Sequence, residues 1–262
     1  MHTVPDLSDP FWFLAVAVII YAVVAVRYFL LSGLFYFLFY VWRPNKWKSR
    51  KVNSKDYPPG QFKKEIIRSN ITAVLFGLSG ALLILLWQKG YVKLYENIHD
   101  YSLWWLPASL IIALVLQETY YYWLHRWMHL PAIFRVVHKW HHDSHIASPW
   151  TAFSFHPLEG LIQAIFLPLL LLFLPLNIYV LVIMLLIMSV SSVINHLNIE
   201  IYPQWFLKNF FGRSVIGATH HSLHHKQYKY NFGLYFTWWD KLSKTESPLY
   251  TEFTDNRKTG QK

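Results

Sequence analysis

Long apolar runs separated by polar loops are the main pattern of this chain. The first run covers residues 11–42, and Arg27 is its only charged residue. A helix rises about 1.5 Å per residue, so this run is longer than the hydrocarbon core of a bilayer, which is about 30 Å thick. We therefore expect one tilted helix that extends beyond the membrane.

Three further apolar runs follow the first. Residues 71–87 and 103–124 are each close to the length of one transmembrane helix. Residues 158–197 form a longer block, with Pro168 and Pro175 near its middle. Because proline interrupts helices, we expect a hairpin of two helices here, the first of them short. The pattern predicts an all-α membrane protein with four to five transmembrane helices.

The composition supports a membrane protein and narrows its chemistry. Hydrophobic residues make up 54% of the 262 residues and charged residues 15%, with a net charge of +10. The basic residues occur in blocks between the apolar runs, which favours anionic lipid headgroups over nucleic acid as their partner. The chain has no cysteine, which excludes disulfides, iron–sulfur clusters, thiolate-bound haem and cysteine-containing zinc sites.

The basic blocks also predict the orientation in the membrane. The first 26 residues contain no Lys or Arg, whereas nine basic residues lie within 43–68. Because loops rich in Lys and Arg stay in the cytoplasm, this loop should be cytoplasmic. Following the chain from there places residues 125–156, His196 and the C-terminal part on the same side. We expect an integral protein of the bacterial inner membrane or the endoplasmic reticulum, with its histidine clusters facing the cytoplasm.

Histidines recur in this chain at spacings that suit metal binding. Twelve of the fourteen lie between His125 and His225. They form one HxxxH pair, "HRWMH", and two HxxHH triplets, "HKWHH" and "HSLHH", while "NHLN" adds one more. Residues three and four apart share one face of a helix, so each motif directs its imidazoles to one place. The candidate metal ligands are His125, His129, His138, His141, His142, His196, His221, His224 and His225.

Nine imidazoles exceed the four to six ligands of a single ion and therefore suggest two metals in one site. Imidazole suits iron, zinc, copper and nickel. Any one of these histidines alone would be read as an interfacial side chain that binds headgroups, but the recurrence favours the metal site for the set. His2 and His99 read as surface residues and His145 as a loop residue near the site. His156 and His220 stay open between ligand and hydrogen-bond donor to a ligand.

Carboxylates near the motifs are candidates for orienting the imidazoles. Glu118 lies seven residues before His125, and therefore on the same helical face. It can orient a metal-bound imidazole through the free N–H, or it can be a helix-end carboxylate bonded to water or a tyrosine. The same two interpretations apply to Glu159, Glu200 and Asp240.

The order and spacing of these motifs resemble the fatty acid hydroxylase/sterol desaturase superfamily. The similarity extends over about residues 118–242. "HRWMHLPAIFRVVHKWHHDSHIASPWTAFSFHPLEGLIQ" and "HHSLHHKQYKYNFGLYFTWWDKL" are closest to the sterol C-5 desaturase branch. "NHLNIE" and "WWDKLSKTE" depart from that branch, which leaves the lipid substrate open.

The resemblance implies a membrane di-iron oxidoreductase that uses O₂ and external electrons to desaturate or hydroxylate a lipid, in lipid biosynthesis. It implies one integral-membrane domain over 1–262, with a cytoplasmic histidine-rich helical cap and a catalytic histidine core at about 118–242. It carries iron ligation onto the nine histidines named above. The iron would be Fe²⁺ or Fe³⁺, and zinc can substitute in purified protein. No further catalytic residue and no organic cofactor site is assigned.

The electrons must come from another protein. The chain has no GxGxxG after a strand and no Walker motif, so no nucleotide cofactor site is evident. A cytochrome b5 or a ferredoxin, with its reductase, would be the donor. Lys208, Arg213, Lys226 and Lys229 lie near the last histidine motif and can dock an acidic carrier or bind lipid headgroups.

Three alternatives remain at the level of sequence. The first is a fatty acid or sphingoid base hydroxylase of the same superfamily, and the second is a histidine-rich membrane metal transporter. A transporter should carry its ligands near the bilayer midplane, whereas here they fall at helix ends and in loops. The third alternative is a membrane protein with bis-histidine haem.

Overall fold

A computed structural model describes residues 5–256, with side chains up to residue 253. The chain is mostly helical. His2 lies outside the described residues.

Two long antiparallel helices form the N-terminal part of the fold. Helix α1 spans Pro10–Tyr36 and starts where the Asp9 side chain accepts a hydrogen bond from the Phe11 amide. It continues as a π-helical segment, Phe37–Trp42, so one continuous helix follows the first apolar run, as expected. Helix α3, Gln61–Gln88, packs along it. A Cβ atom at Gly77 would lie 2.6 Å from the Ala17 carbonyl oxygen, so glycine permits this close contact.

Helices α4 and α9 complete the long elements. Helix α4 spans Trp105–Met128 and helix α9 spans Ile178–Asn195, whose first turn is capped by the side chain of Asn177. Leu171, Leu176 and Met184 are fully buried in the core between these helices. A short parallel pair of strands, β1 Leu94–Tyr95 and β2 Leu176–Asn177, lies beside this core and is a small departure from the all-α prediction.

The first arm of the predicted hairpin consists of two short helices. Helix α7 spans Pro157–Ala164 and helix α8 spans Phe166–Phe173. Pro168 has no amide hydrogen to donate to the carbonyl of Ala164, four residues earlier, and the helix is interrupted at this point. The short first arm agrees with the expectation from sequence.

Three helices of the described part are long and apolar enough to cross a membrane: Pro10–Trp42, Gln61–Gln88 and Ile178–Asn195. Large apolar side chains such as Val18 and Leu30, which are 63% and 66% exposed, face outward from α1, as lipid contacts would. Helix α4 has the length of a span, but Glu118 and Arg126 lower its hydropathy. The protein is therefore an integral membrane protein, while the count of four to five spans stays a prediction.

Short helices and loops pack at the end of the molecule where α4 and α9 end. The α-helices are α2 Pro44–Trp47, α5 Pro131–Val137, α6 Lys139–His142, α10 Gln204–Lys208, α11 Ala218–Gln227, α12 Trp238–Leu242 and α13 Pro248–Asn256. Three 3₁₀ helices, Lys48–Arg50, Pro149–Phe153 and Gly212–Ser214, join them. Helix α11 packs on α9, and α5 packs on α4. We call this assembly of short elements the cap.

Candidate metal centre

The structure brings the nine motif histidines together in two adjacent groups. Within each group, one ring nitrogen per residue lies within 4.8 Å of those of all the other members. All nine side chains are buried except that of His129, which is partly exposed. The larger group is His125, His129, His138, His142 and His224, and the smaller group is His141, His196, His221 and His225.

The two groups share their supporting elements. The end of α4 supplies members of the larger group only, and His196, which caps the C-terminus of α9, belongs to the smaller group only. Helices α6 and α11 supply both groups, because neighbouring residues in each "HH" pair point to different groups. The ring centroids of His141 and His142 are 5.8 Å apart. The arrangement therefore offers two adjacent groups, each of which could hold a metal ion.

Backbone carbonyl groups fix which nitrogen of three of these imidazoles carries the proton. Nδ1 of His125 lies 2.9 Å from the Phe232 carbonyl oxygen, and Nδ1 of His196 lies 2.7 Å from that of Ser192. Nδ1 of His224 lies 2.7 Å from the Tyr230 carbonyl oxygen. A carbonyl oxygen only accepts, so Nδ1 must donate, and Nε2 of each neutral ring is left with a lone pair.

Glu159 fixes the fourth imidazole in the same way. Its Oε1 lies 2.8 Å from Nδ1 of His138, and both side chains are fully buried. A carboxylate behind an imidazole holds the ring orientation and makes its other nitrogen a better metal ligand. Of the four carboxylates considered from the sequence, Glu159 is the one that contacts a motif histidine in this way.

Two Nε2 atoms fixed in this manner, those of His125 and His138, point at each other. Nε2 of His125 and Nε2 of His138 are 3.1 Å apart, and Nε2 of His196 lies 3.1 Å from Nε2 of His141. Two lone pairs at this distance repel unless a cation lies between them. Two nitrogens bound to one metal ion at 2.0–2.1 Å would be separated by about 2.9–3.4 Å. The donor set therefore fits a metal ion in each group.

Burial keeps these imidazoles in the neutral form that binds metal. Desolvation, followed by the charges of neighbouring imidazoles, lowers the pKa of His141, His221 and His225 well below the usual value of 6.5. Desolvation lowers the pKa of His196 to about 4. Protons therefore do not compete with a metal ion near neutral pH.

Glu65 is a buried residue of the site region that the sequence did not reveal. It lies in the first turns of α3 and is 1% exposed. Its carboxylate accepts hydrogen bonds from the hydroxyl groups of Ser144, Ser148 and Thr151, at 2.5–2.8 Å. Gln61 donates a fourth, at 2.6 Å. These contacts fix the segment that follows "HKWHH" onto α3.

Asp143 and Trp140 make a second connection between this segment and α3. The Asp143 carboxylate is 2.9 Å from both the Lys64 ammonium and the Arg68 guanidinium. The guanidinium of Arg68 also donates to the Trp140 carbonyl at 2.7 Å. The residues on either side of His141 and His142 are thereby fixed.

Glu118 binds backbone, not a histidine. Its carboxylate accepts from the amides of Leu234, Tyr235 and Phe236, the closest contact being 2.6 Å to Tyr235. It thus holds the turn that follows the last histidine motif.

Asp240 and Glu200 likewise bind backbone amides. Asp240 accepts from the amides of Phe232 and Gly233. Glu200 accepts from the amide of Thr219 in the first turn of α11. The three carboxylates support the metal-site segments without touching the ligand nitrogens.

The remaining described histidines lie outside both groups. His220 is fully buried, its Nε2 is 3.8 Å from Asp240, and its ring packs edge-on against Tyr250. His156 caps the N-terminus of α7 and contacts Trp140. His145 is exposed and bonds to Tyr228, and His99 is exposed in the loop after β1. The structure gives none of the four a place among the candidate ligands.

An apolar cavity of about 310 Å³ reaches the smaller histidine group. Its wall contains His196 and His221 together with aromatic residues such as Phe76, Phe153 and Phe155. It also includes residues at both ends of α9, so it follows that helix for roughly 25 Å. The cavity thus connects the region of the apolar helices to the histidine cluster.

Comparison with known proteins identifies similar sequences. The family model described as fatty acid hydroxylase matches residues 110–245. The Delta(7)-sterol 5(6)-desaturase ERG3B of Gibberella zeae is 31% identical over 180 residues, which are 69% of this chain and 54% of that protein. Lathosterol oxidase of Rattus norvegicus is 33% identical over 166 residues, or 61% of this chain and 52% of that protein.

A third relative, the Delta(7)-sterol 5(6)-desaturase erg3C of Aspergillus fumigatus, is 28% identical over 206 residues, covering 70% of this chain and 62% of that protein. The chain thus spans about half to three fifths of the length of these relatives. No solved structure matches the chain significantly.

Proposed function

Since this chain belongs to the fatty acid hydroxylase family, in its sterol desaturase branch, we propose that it is an O₂-dependent di-iron enzyme that desaturates or hydroxylates a sterol-like lipid. The family membership supports an oxidoreductase that acts on membrane lipids. The proposal includes the nine histidines as metal ligands, the iron, the substrate and the electron donor. The extent of the domain, 1–262, with its histidine core at about 118–242, is part of it too.

The observation that carries the proposal is the set of facing Nε2 atoms beside an apolar cavity. The five histidines of the larger group would hold one iron ion and the four of the smaller group the other. Imidazole nitrogen is a suitable ligand for iron, and zinc could replace it in purified protein. When bound, the irons supply, from O₂ and two electrons, the oxidising power to attack an unactivated C–H bond, which no side chain has.

The protein's own residues place the lipid and keep water away. His196 and His221 belong both to the smaller group and to the cavity wall, so a lipid in the cavity would lie beside that group. Phe153 and Phe155 are 5% exposed and pack in this wall, where they exclude water. Glu159 keeps the proton of His138 on Nδ1 and thereby leaves Nε2 free for the metal.

The relatives favour a sterol over other lipids. The activities in their names, Delta(7)-sterol 5(6)-desaturase and lathosterol oxidase, are reactions of sterols. The family model is described as fatty acid hydroxylase, so a fatty acid or sphingoid base hydroxylase is the second candidate. A metal transporter is not favoured, because the histidine groups lie in the cap and at helix ends rather than in mid-span.

The orientation and the electron donor follow from the basic residues. With the 43–68 loop in the cytoplasm, both histidine groups would face the cytoplasm. Lys208, Lys226 and Lys229 are exposed near the last histidine motif and can dock an acidic carrier such as a cytochrome b5 or a ferredoxin. If they do, reduction of the enzyme by the carrier should slow as the salt concentration rises.

Purified protein in lipid nanodiscs tests the proposal. We expect two metal ions per chain and, with a reductase and cytochrome b5 or ferredoxin, conversion of a Δ7-sterol that requires O₂. Parallel reactions with a fatty acid and a sphingoid base separate the two candidates by product analysis. The variant His141→Ala serves as the inactive control. Protein that binds no metal under any loading condition would contradict the proposal.

A further inference from the structure

The face of α9 that lines the cavity ends with a polar residue, Asn195. Five residues of α9 lie three or four positions apart and therefore share one face of the helix. All five line the cavity: Leu181, Leu185, Met188, Ser192 and Asn195. Asn195 is the last residue of the helix and directly precedes His196. A polar group therefore lies in the cavity wall next to a candidate iron ligand.

The Asn195 amide has an unused acceptor. The side chain is 2% exposed, and its Nδ2 donates to the Leu234 carbonyl at 2.9 Å. If the amide group were rotated by 180°, its oxygen would face the Leu234 carbonyl oxygen, and two acceptors repel each other. The hydrogen bond therefore fixes the orientation of the amide. Oδ1 is then buried without a hydrogen-bond partner among the described residues. A buried acceptor of this kind is costly unless a donor arrives from elsewhere.

Two polar side chains on neighbouring parts of the cavity wall, Ser192 and Gln117, are already engaged. The hydroxyl of Ser192 donates to the Ala152 carbonyl at 2.9 Å. Gln117 accepts from the hydroxyl of Tyr235 at 2.6 Å and contacts the sulfur of Met188 with its amide nitrogen. Oδ1 of Asn195 is therefore a free acceptor close to the histidine end of an apolar cavity.

We propose that Oδ1 of Asn195 accepts a hydrogen bond from a hydroxyl group of the substrate, so that the cavity selects a lipid alcohol. The inference rests on the proposed function and extends it. The hydroxyl would be held near His196, with the carbons close to it beside the smaller histidine group. The apolar remainder of the lipid would lie along α9. A hydroxysterol has this chemistry, whereas a sterol ether or ester has no donor to offer.

Ligand binding tests this inference without turnover. Purified protein in detergent is titrated with a 3-hydroxysterol and with its 3-O-methyl ether, and binding is followed by tryptophan fluorescence. We expect the wild type to bind the alcohol about fivefold more tightly than the ether. Asn195→Leu should bind the two ligands equally, with the affinity for the ether unchanged. Equal binding of both ligands by the wild type would overturn the inference.

Two further variants isolate the acceptor. Asn195→Asp also loses the donor to Leu234 but keeps an oxygen acceptor, so it should retain the preference for the alcohol. Ser192→Ala, on the same helix face, should retain it as well. Loss of bound metal in Asn195→Leu would assign Asn195 to the metal site and refute the role in substrate binding. If the preference holds but no sterol is turned over, the proposed function fails and the binding site stands.

Discussion

At the scale of single residues, the position of the proton on each imidazole decides what the cluster can bind. Four of the nine histidines have Nδ1 directed at a carbonyl or carboxylate oxygen, which leaves Nε2 free. The free Nε2 atoms of His125 and His138, which come from different segments, then meet at 3.1 Å. The contribution of each histidine to metal binding therefore depends on the geometry of the whole set.

Removing one imidazole from either group should abolish turnover. His141→Ala takes a ligand from the smaller group and His224→Ala takes one from the larger. We expect both variants to insert into the membrane but to lose activity by at least about a hundredfold. His145→Ala, which changes an exposed histidine outside both groups, is the matched control. Wild-type activity in His141→Ala would remove that residue from the site.

Replacing the carboxylate behind His138 should weaken metal binding while leaving all nine histidines in place. In Glu159→Leu the Nδ1 proton of His138 loses its acceptor. We expect the metal affinity to fall by roughly 10–100-fold, as measured by competition with a chelator. Glu159→Gln keeps an oxygen acceptor and should lose less. The exposed Glu96→Gln is the control, and unchanged affinity in Glu159→Leu would contradict the role.

At the scale of elements, helix α3 does more than cross the membrane. It begins at Gln61, ten residues before the apolar run at 71–87, and its polar first turns hold the segment after "HKWHH". The buried Glu65 is the centre of this contact. The first turns of α3 thereby determine the position of α6 and of its histidines.

Removing the Glu65 carboxylate should destabilise the cap. Glu65→Leu leaves the hydroxyls of Ser144, Ser148 and Thr151 without their acceptor. We expect the free energy of unfolding to fall by roughly 2–4 kcal/mol, seen as a lower Tm in detergent. Lys64→Ala breaks an ion pair whose ammonium side is 52% exposed and should cost less than about 1 kcal/mol. An equal loss in the two variants would argue against a central role for Glu65.

Hydrophobic and motif patterns predict the local structure of this chain. They do not predict contacts between residues that are far apart in the sequence. The first apolar run, 11–42, marks the continuous helix Pro10–Trp42 to within one residue. The family resemblance, which rested on motif spacing, is confirmed by the comparisons. Glu65 was missed because its partners Ser144 and Thr151 lie 79 and 86 residues further along the chain. Glu118 shares a helical face with His125, as its spacing indicates, yet its carboxylate bonds to amides more than a hundred residues away. Such contacts depend on how the helices assemble.

At the scale of the whole molecule, many buried imidazoles link stability to pH. Burial lowers the pKa of His196 to about 4 and that of His220 to about 3, from 6.5 in the unfolded chain. The unfolded state therefore binds protons first as the pH falls. Burial also raises the pKa of buried carboxyl groups, in Asp240 from 3.8 to about 6, which acts in the opposite direction, but the buried histidines outnumber the buried carboxyl groups.

Metal-free protein should therefore lose stability on acidification. The contribution of the histidines is fully present above pH 6.5 and is lost progressively as the pH falls towards 4. Thermal unfolding of chelator-treated protein from pH 8 to pH 4.5 measures this, with Tm falling below pH 6.5. Metal-loaded protein should show the fall at lower pH, because bound metal holds the imidazoles neutral. A Tm of metal-free protein that rises on acidification would contradict the burial of neutral histidines.

The sharing of α6 and α11 between the two histidine groups has a consequence for how the site fills. His141 and His142 are successive residues that serve different groups, as are His224 and His225. An ion captured by one group orders both helices and so prepares the ligands of the other, which lowers the entropic cost of the second capture. Metal uptake should then be cooperative, with a Hill coefficient above one. Native mass spectrometry during a titration would find chains with no ions or with two, and few with one.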